Sequence, residues 1–113
     1  NQTPIRCTRQ NWWELEGIFK YCKELFPKGH GSHATPSELS VTYYAFPELE
    51  NQTIQDPQTA PSGPILDADD YRRRFPDGRI GSDTSLASAE LGEKIVKKSA
   101  ESLIKSYNRF LAA

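Results

Sequence analysis

Two histidines three residues apart, His30 and His33, stand in the segment Gly29-His30-Gly31-Ser32-His33-Ala34-Thr35-Pro36-Ser37-Glu38. A histidine just outside a helix N-terminus meets the positive end of the helix dipole, which favours the neutral ring. It can then donate a hydrogen bond and move a proton near neutral pH. His33 has that placement if a helix begins at Pro36. His30 lies between two glycines, where nothing local fixes it, and is expected to contribute little. Two histidines and one glutamate fall short of the three or four ligands a metal centre needs. Glu38 has a purely structural use as well, as the third-position carboxylate of a capping box opened by Thr35. Trp12 and Trp13 open another helix, where tandem indoles serve either to pack that helix or to cover a substrate.

Other suggestive clusters carry less. Arg72, Arg73 and Arg74 beside Tyr71 and Phe75 have the residue types of a nucleic-acid patch, but Asp67, Asp69 and Asp70 neutralise the local field. Those aspartates lack the glycine and closing glutamate of a calcium loop. Cys7 and Cys22 have no zinc spacing and are read as small buried hydrophobes. Asn1-Gln2-Thr3 and Asn51-Gln52-Thr53 fit the glycosylation sequon by chance.

These groups need elements to position them. Asn11 and Glu14 form a capping box, and Leu15, Ile18, Phe19, Cys22, Leu25 and Phe26 continue as one apolar stripe that predicts a helix from Trp12 to Phe26. Thr35 and Glu38 with Pro36 predict a second helix from Pro36 to about Ala45, against the strand propensity of Val41 to Tyr44. Residues 47–84 carry five prolines and three glycines without a period, with a turn at Phe75-Pro76-Asp77-Gly78. Ser88 caps a last helix running to about Leu111, with Leu91, Ile95, Leu103, Tyr107 and Leu111 as its buried stripe and Lys94, Lys97 and Lys105 in water. Ile5 to Thr8 reads as the tail of a strand. One strand cannot form a sheet, so the 113-residue chain is expected to be incomplete, with its sheet supplied by an upstream segment or a partner chain, and not to fold stably alone.

Composition excludes whole classes. With 14 Lys and Arg against 15 Asp and Glu, no global basic field exists for nucleic acid. No apolar run approaches the ~18 residues of a membrane span, so no membrane partner is expected. The hydrophobic share of 36% is thin for one domain. Without a secretory leader, a reducing cytoplasm is the expected compartment.

His33-Ala34-Thr35-Pro36-Ser37-Glu38-Leu39-Ser40 resembles the His-Ala-Gly-x-x-Glu-Thr-Ser segment of the creatininase (creatinine amidohydrolase) family. Gly81-Ser82-Asp83-Thr84-Ser85-Leu86-Ala87-Ser88-Ala89-Glu90-Leu91-Gly92-Glu93 resembles that family's late glycine-and-aspartate segment and the Ala-x-x-Gly run entering its last helix. Thr35, Pro36 and Leu39 depart from the pattern, which points to a different substrate pocket. The resemblance implies that residues 1–113 are the C-terminal part of a single α/β domain, a three-layer α/β/α sandwich. It implies hydrolysis of a C–N bond in a small amide or cyclic amide, with His33 and Glu38 catalytic and Trp12, Trp13 and Ser37 against the substrate. It also implies two divalent metal ions, zinc or manganese, held by the upstream part of the same protein and not by this segment, which alone is expected to be inactive. A homo-oligomer is expected. The alternative is a non-enzymatic binding or assembly module that kept the fold without the metal site.

Overall fold

The computed structural model describes residues 4–51 and 53–113. Both sequons include residues outside that set. Four α-helices follow one another: α1 (Ile18–Leu25), α2 (Pro36–Ala45), α3 (Ala68–Arg74) and α4 (Ala89–Ala112), with short 3-10 turns at Trp12–Glu14, Pro47–Leu49 and Thr84–Leu86. Among the described residues the β-structure is one antiparallel bridge, His33 with Ile80. The sandwich expected from the resemblance is therefore not formed by these residues, although nothing in them contradicts a place within one. Ile5 to Thr8 is exposed and belongs to no strand, because among the described residues no extended segment pairs with its backbone.

The first helix begins later than the apolar stripe predicts. Leu15 is extended and Gly17 sits at φ +81, so the chain makes a 3-10 turn, breaks, and restarts as α1 at Ile18. A left-handed residue cannot lie inside a right-handed helix, and glycine adopts that conformation without steric cost. The stripe survives the break, since Leu15, Ile18, Cys22 and Phe26 are all buried and form the core with Ile95. Phe19 leaves the core and is half exposed. Cys7 is exposed, contrary to expectation, because its stretch meets the end of α4 only through the side chains of Arg6 and Gln10.

Helix α2 starts and stops where the cap predicts. Thr35 Oγ1 accepts from the Glu38 amide at 3.2 Å, and Glu38 Oε2 accepts from the Thr35 amide at 3.1 Å. Its inner face is small and polar rather than oily: Pro36, Ser37, Ser40 and Tyr43 are buried. The reason is the close crossing with α4. A Cβ on Gly92 would fall 1.9 Å from the Ser40 carbonyl oxygen, so the backbones touch where no side chain fits. Ser40 is fully buried with its hydroxyl satisfied twice, donating to Pro36 O at 2.6 Å and accepting from the Ser88 amide at 3.1 Å.

Helix α3 was not anticipated. Asp67 caps it, accepting from the Asp70 amide at 2.8 Å, within a stretch whose prolines and glycines mask any period. The turn after it forms as expected, Gly78 donating to the Phe75 carbonyl at 3.0 Å with φ +83. Ser88 caps α4 through the Leu91 amide at 3.2 Å.

The α4 stripe is only half right. Ile95 is fully buried and Leu91 packs beside it, whereas Leu103, Tyr107 and Leu111 are 53%, 58% and 55% exposed. Helix α1 ends after two turns, and the second half of α4 meets the irregular stretch before α1 rather than another helix. Polar contacts tether that half instead: Ser102 donates to Glu16 O at 2.9 Å, and Arg109 pairs with Glu16 at 2.9 Å. Lys94, Lys97 and Lys105 are exposed as expected. No helix among the described residues is long and apolar enough to cross a membrane.

The crossing carries the packing, so its two kinds of contact should respond differently. Ile95→Ala is expected to cost ~2–5 kcal/mol as a cavity. Gly92→Ala, which forces two backbones apart, is expected at or above the top of the ~1–3 kcal/mol overpacking range. Urea unfolding of the intact protein measures both.

Candidate functional site

A cavity of about 430 Å³ opens between the 3-10 turn at Trp12–Glu14, the start of α1, and the loop that leads into α2. It is lined by Trp12, Trp13, Phe19, His30, Gly31, Ser32, His33, Thr35, Ser37 and Glu38. All five residues singled out from the sequence, His33, Glu38, Trp12, Trp13 and Ser37, therefore share one cavity. Trp12 and Trp13 stand edge to face, 5.6 Å between ring centres, and form one wall.

Two glycines shape the loop that carries the other lining residues. Gly29 and Gly31 have φ of +77 and +69, which lets the loop turn back on itself. At Gly31 a Cβ would meet the Ile80 carbonyl oxygen at 2.3 Å and the Ser82 nitrogen at 2.5 Å, so only glycine permits the approach. The loop then pairs with residues 80–83: the Ser32 amide donates to Ile80 O at 2.9 Å, Ile80 to His33 O at 3.2 Å, and Asp83 to Gly29 O at 2.8 Å. Ser82 adds its hydroxyl to the His33 carbonyl at 3.1 Å. His33 is thus held by its backbone while its side chain is exposed at the cavity. The two segments that carry the family resemblance meet at this point.

His30 departs most from expectation. It is buried, 8% exposed, with Nε2 2.8 Å from Ser37 Oγ and its ring stacked on Phe26 at 6.1 Å. Phe19 closes it edge-on at 6.3 Å. The flanking glycines do not free it; they bend the loop so that the ring drops between the aromatics. Burial pushes the imidazole below its ordinary pKa. The Gly31 backbone opposes this, the Lys23 charge adds to it, and the Glu38 charge opposes it. The signal available in the sequence was the aromatic pair Phe19 and Phe26, one within α1 and one just past its end.

Ser37 is buried, and its hydroxyl is taken up by His30 and by Thr35 Oγ1 at 2.9 Å. Beside it, burial raises the Cys22 thiol pKa, with the Ser37 hydrogen bond opposing the shift. Glu38 Oε2 is committed to Thr35, while Oε1 takes no part in the cap. The arginines lie elsewhere and are internally paired. Arg73 and Arg74 both reach Asp70, at 2.8 and 2.5 Å, and Arg72 reaches Asp69 at 3.4 Å. Among the described residues no three histidine, cysteine, aspartate or glutamate side chains converge. With His30 Nε2 and Glu38 Oε2 already engaged, the donor set here does not fit a metal centre.

The cavity thus gathers two imidazoles, a carboxylate and two indoles beside a helix N-terminus. The creatinine amidohydrolase family model matches residues 3–107, and the chain belongs to the creatininase family, whose members are amidohydrolases and generally metal-dependent. The chain has no match among curated proteins.

The buried imidazole makes stability pH-dependent. A base whose folded pKa lies below its free value of 6.5 leaves the unfolded chain binding more protons as the pH falls. Stability should be full above about pH 6.5 and decline as the pH drops toward the folded pKa. Melts across pH 4.5–8, chosen to span ~2 units about that value, should show this limb, and His30→Gln should flatten it.

Proposed function

We propose that this chain contributes the proton-handling and substrate-facing part of an amidohydrolase that cleaves a C–N bond in a small amide or cyclic amide. The observation that carries this reading is the gathering of His33, Glu38, Trp12 and Trp13 around one cavity, in a chain of the creatininase family. His33 delivers a proton to the departing nitrogen from an exposed imidazole on a pinned backbone. A C–N bond breaks readily only when that nitrogen leaves protonated. Glu38, fixed by its cap, presents its remaining oxygen to orient His33 or a substrate N–H. The two indoles supply flat apolar surface for a compact amide and exclude water from one side.

The paired divalent ions, zinc or manganese, that the family resemblance implies are assigned to residues outside this chain, since its own donors do not fit them. The exposed Leu103, Ile104, Tyr107 and Leu111 on α4 support the reading that an upstream part of the protein, carrying the sheet, completes the domain. A homo-oligomer in the cytoplasm accompanies this proposal.

Turnover tests the assignment. The intact protein is screened against small cyclic amides, formamides and short peptides. With the best substrate, His33→Ala should lower kcat by ~10²–10⁴, the scale of one acid–base group, and leave bound metal unchanged. Full activity in His33→Ala, or loss of metal from it, contradicts the role. Absence of hydrolysis across the panel together with absence of metal favours the binding-module reading.

A further inference from the structure

Four side chains at the cavity form a hydrogen-bonded series that goes further than a capping box requires. Glu38 Oε2 accepts from Thr35 Oγ1 at 3.1 Å, Thr35 Oγ1 lies 2.9 Å from Ser37 Oγ, and Ser37 Oγ lies 2.8 Å from His30 Nε2. Counting protons gives the series a direction. A carboxylate only accepts, so the single hydroxyl proton of Thr35 goes to Glu38. The lone pairs of Thr35 Oγ1 then receive the Glu38 amide, at 3.2 Å, and the Ser37 hydroxyl. With its proton given to Thr35, Ser37 accepts from His30, and in this series Nε2 carries the ring hydrogen. One atom is left over: His30 Nδ1, which is buried and makes no hydrogen bond of full geometry among the described residues, with only the Gly31 backbone acting on the ring.

We propose that His30 is a positioning residue for the site, donating from Nε2 through Ser37 and Thr35 so that the Glu38 carboxylate is held in one orientation at the cavity wall. The capping box alone leaves the Thr35 hydroxyl free to rotate. With Ser37 donating into it, that proton has one destination, and each bond in the series polarises the next. Cys22 and Lys23 on α1 and Glu38 on α2 are the titratable groups around the ring; Phe19 and Phe26 exclude water from its faces. Burial favours the neutral imidazole, the form in which its tautomer is meaningful.

This role rests on the amidohydrolase reading, but its structural half does not, and two measurements separate them. In the intact protein labelled with ¹⁵N-histidine, near neutral pH, His30 should show a protonated Nε2 and an unprotonated Nδ1, assigned by comparison with His33→Gln. Thr35→Ser keeps every hydroxyl and should preserve that pattern. Thr35→Val frees Ser37 to donate to Nε2 and should shift His30 toward the Nδ1–H tautomer. Because Thr35→Val also weakens the helix cap, Ser37→Ala serves as the second variant and should erase the preference by removing the acceptor. An Nδ1–H tautomer in the unmodified protein, or a pattern unmoved in both Thr35→Val and Ser37→Ala, overturns the series. For the positioning role, His30→Leu should lower kcat about 10–10²-fold, the scale of a misplaced group, with KM little changed. His30→Gln, which keeps an N–H donor, should recover much of that loss. Unaltered kcat in His30→Leu overturns the positioning role even where the tautomer is as expected. Absence of hydrolysis by the unmodified protein defeats the amidohydrolase reading, and with it the positioning role, but leaves the tautomer result to decide the series.

Discussion

The site depends on one backbone pairing, the antiparallel contact of residues 29–33 with residues 80–83. Its bonds are few, and they join segments about fifty residues apart in a part of the chain with almost no regular β-structure. The contact holds because Gly31 and Gly81 let the two backbones approach closely, a Cβ on Gly81 falling 3.2 Å from Gly31 Cα. It seats the His33 carbonyl and fixes the exit of the loop into α2, so the Thr35 cap starts where it does. His30, Ser37 and Glu38 inherit their places from that start.

A third segment leans on the same pairing. The Ala60 amide donates to Ser82 O at 3.0 Å and the Gly81 amide to Pro61 O at 2.9 Å. The Arg79 guanidinium, 4% exposed, ties this layer together, donating to the carbonyls of Pro57, Gln58 and Ser82 at 2.7, 2.8 and 3.1 Å and to the Asp77 carboxylate at 2.8 Å. A planar fork with five donors can serve several carbonyls at once; a lysine ammonium has three donors and no such plane. In place of strands, a buried cation organises irregular backbone. Arg79 holds Asp77 below the ordinary carboxylate range against the opposing effect of burial.

Legibility in the sequence followed the range of the physics. Interactions confined to four residues were readable: the Thr35–Glu38 box, the Ser88 cap and the Phe75–Gly78 turn all formed as their residue types predict. The core stripe from Leu15 to Phe26 was readable too, although Gly17 broke the helix that carried it. What stayed hidden was set by distant partners. Nothing near His30 reveals that Ile80 and Ser82 will fold the loop around it, and nothing near Leu103 reveals that α1 stops short of covering it. Helix α3 was hidden differently, its short Asp-capped run being too brief to show a period between flanking prolines. The cavity residues His33 and Glu38 stood out by their place at a capped helix start and then by the family-like segment, whereas the connection from His30 to Glu38 emerges only when hydroxyl protons are counted in three dimensions.

The contact of Gly92 with the Ser40 carbonyl has a consequence for how the cavity behaves in time. Most helix crossings are spaced by side chains, whose rotamers exchange and let the axes breathe. Here the spacer is backbone against backbone, with no torsion available to relax it. Ser37, Glu38 and the rest of the first turn of α2 lie within a turn of that contact. The cavity wall that carries Ser37 and Glu38 is therefore held at a fixed distance from α4. One side of the cavity is set by main chain alone.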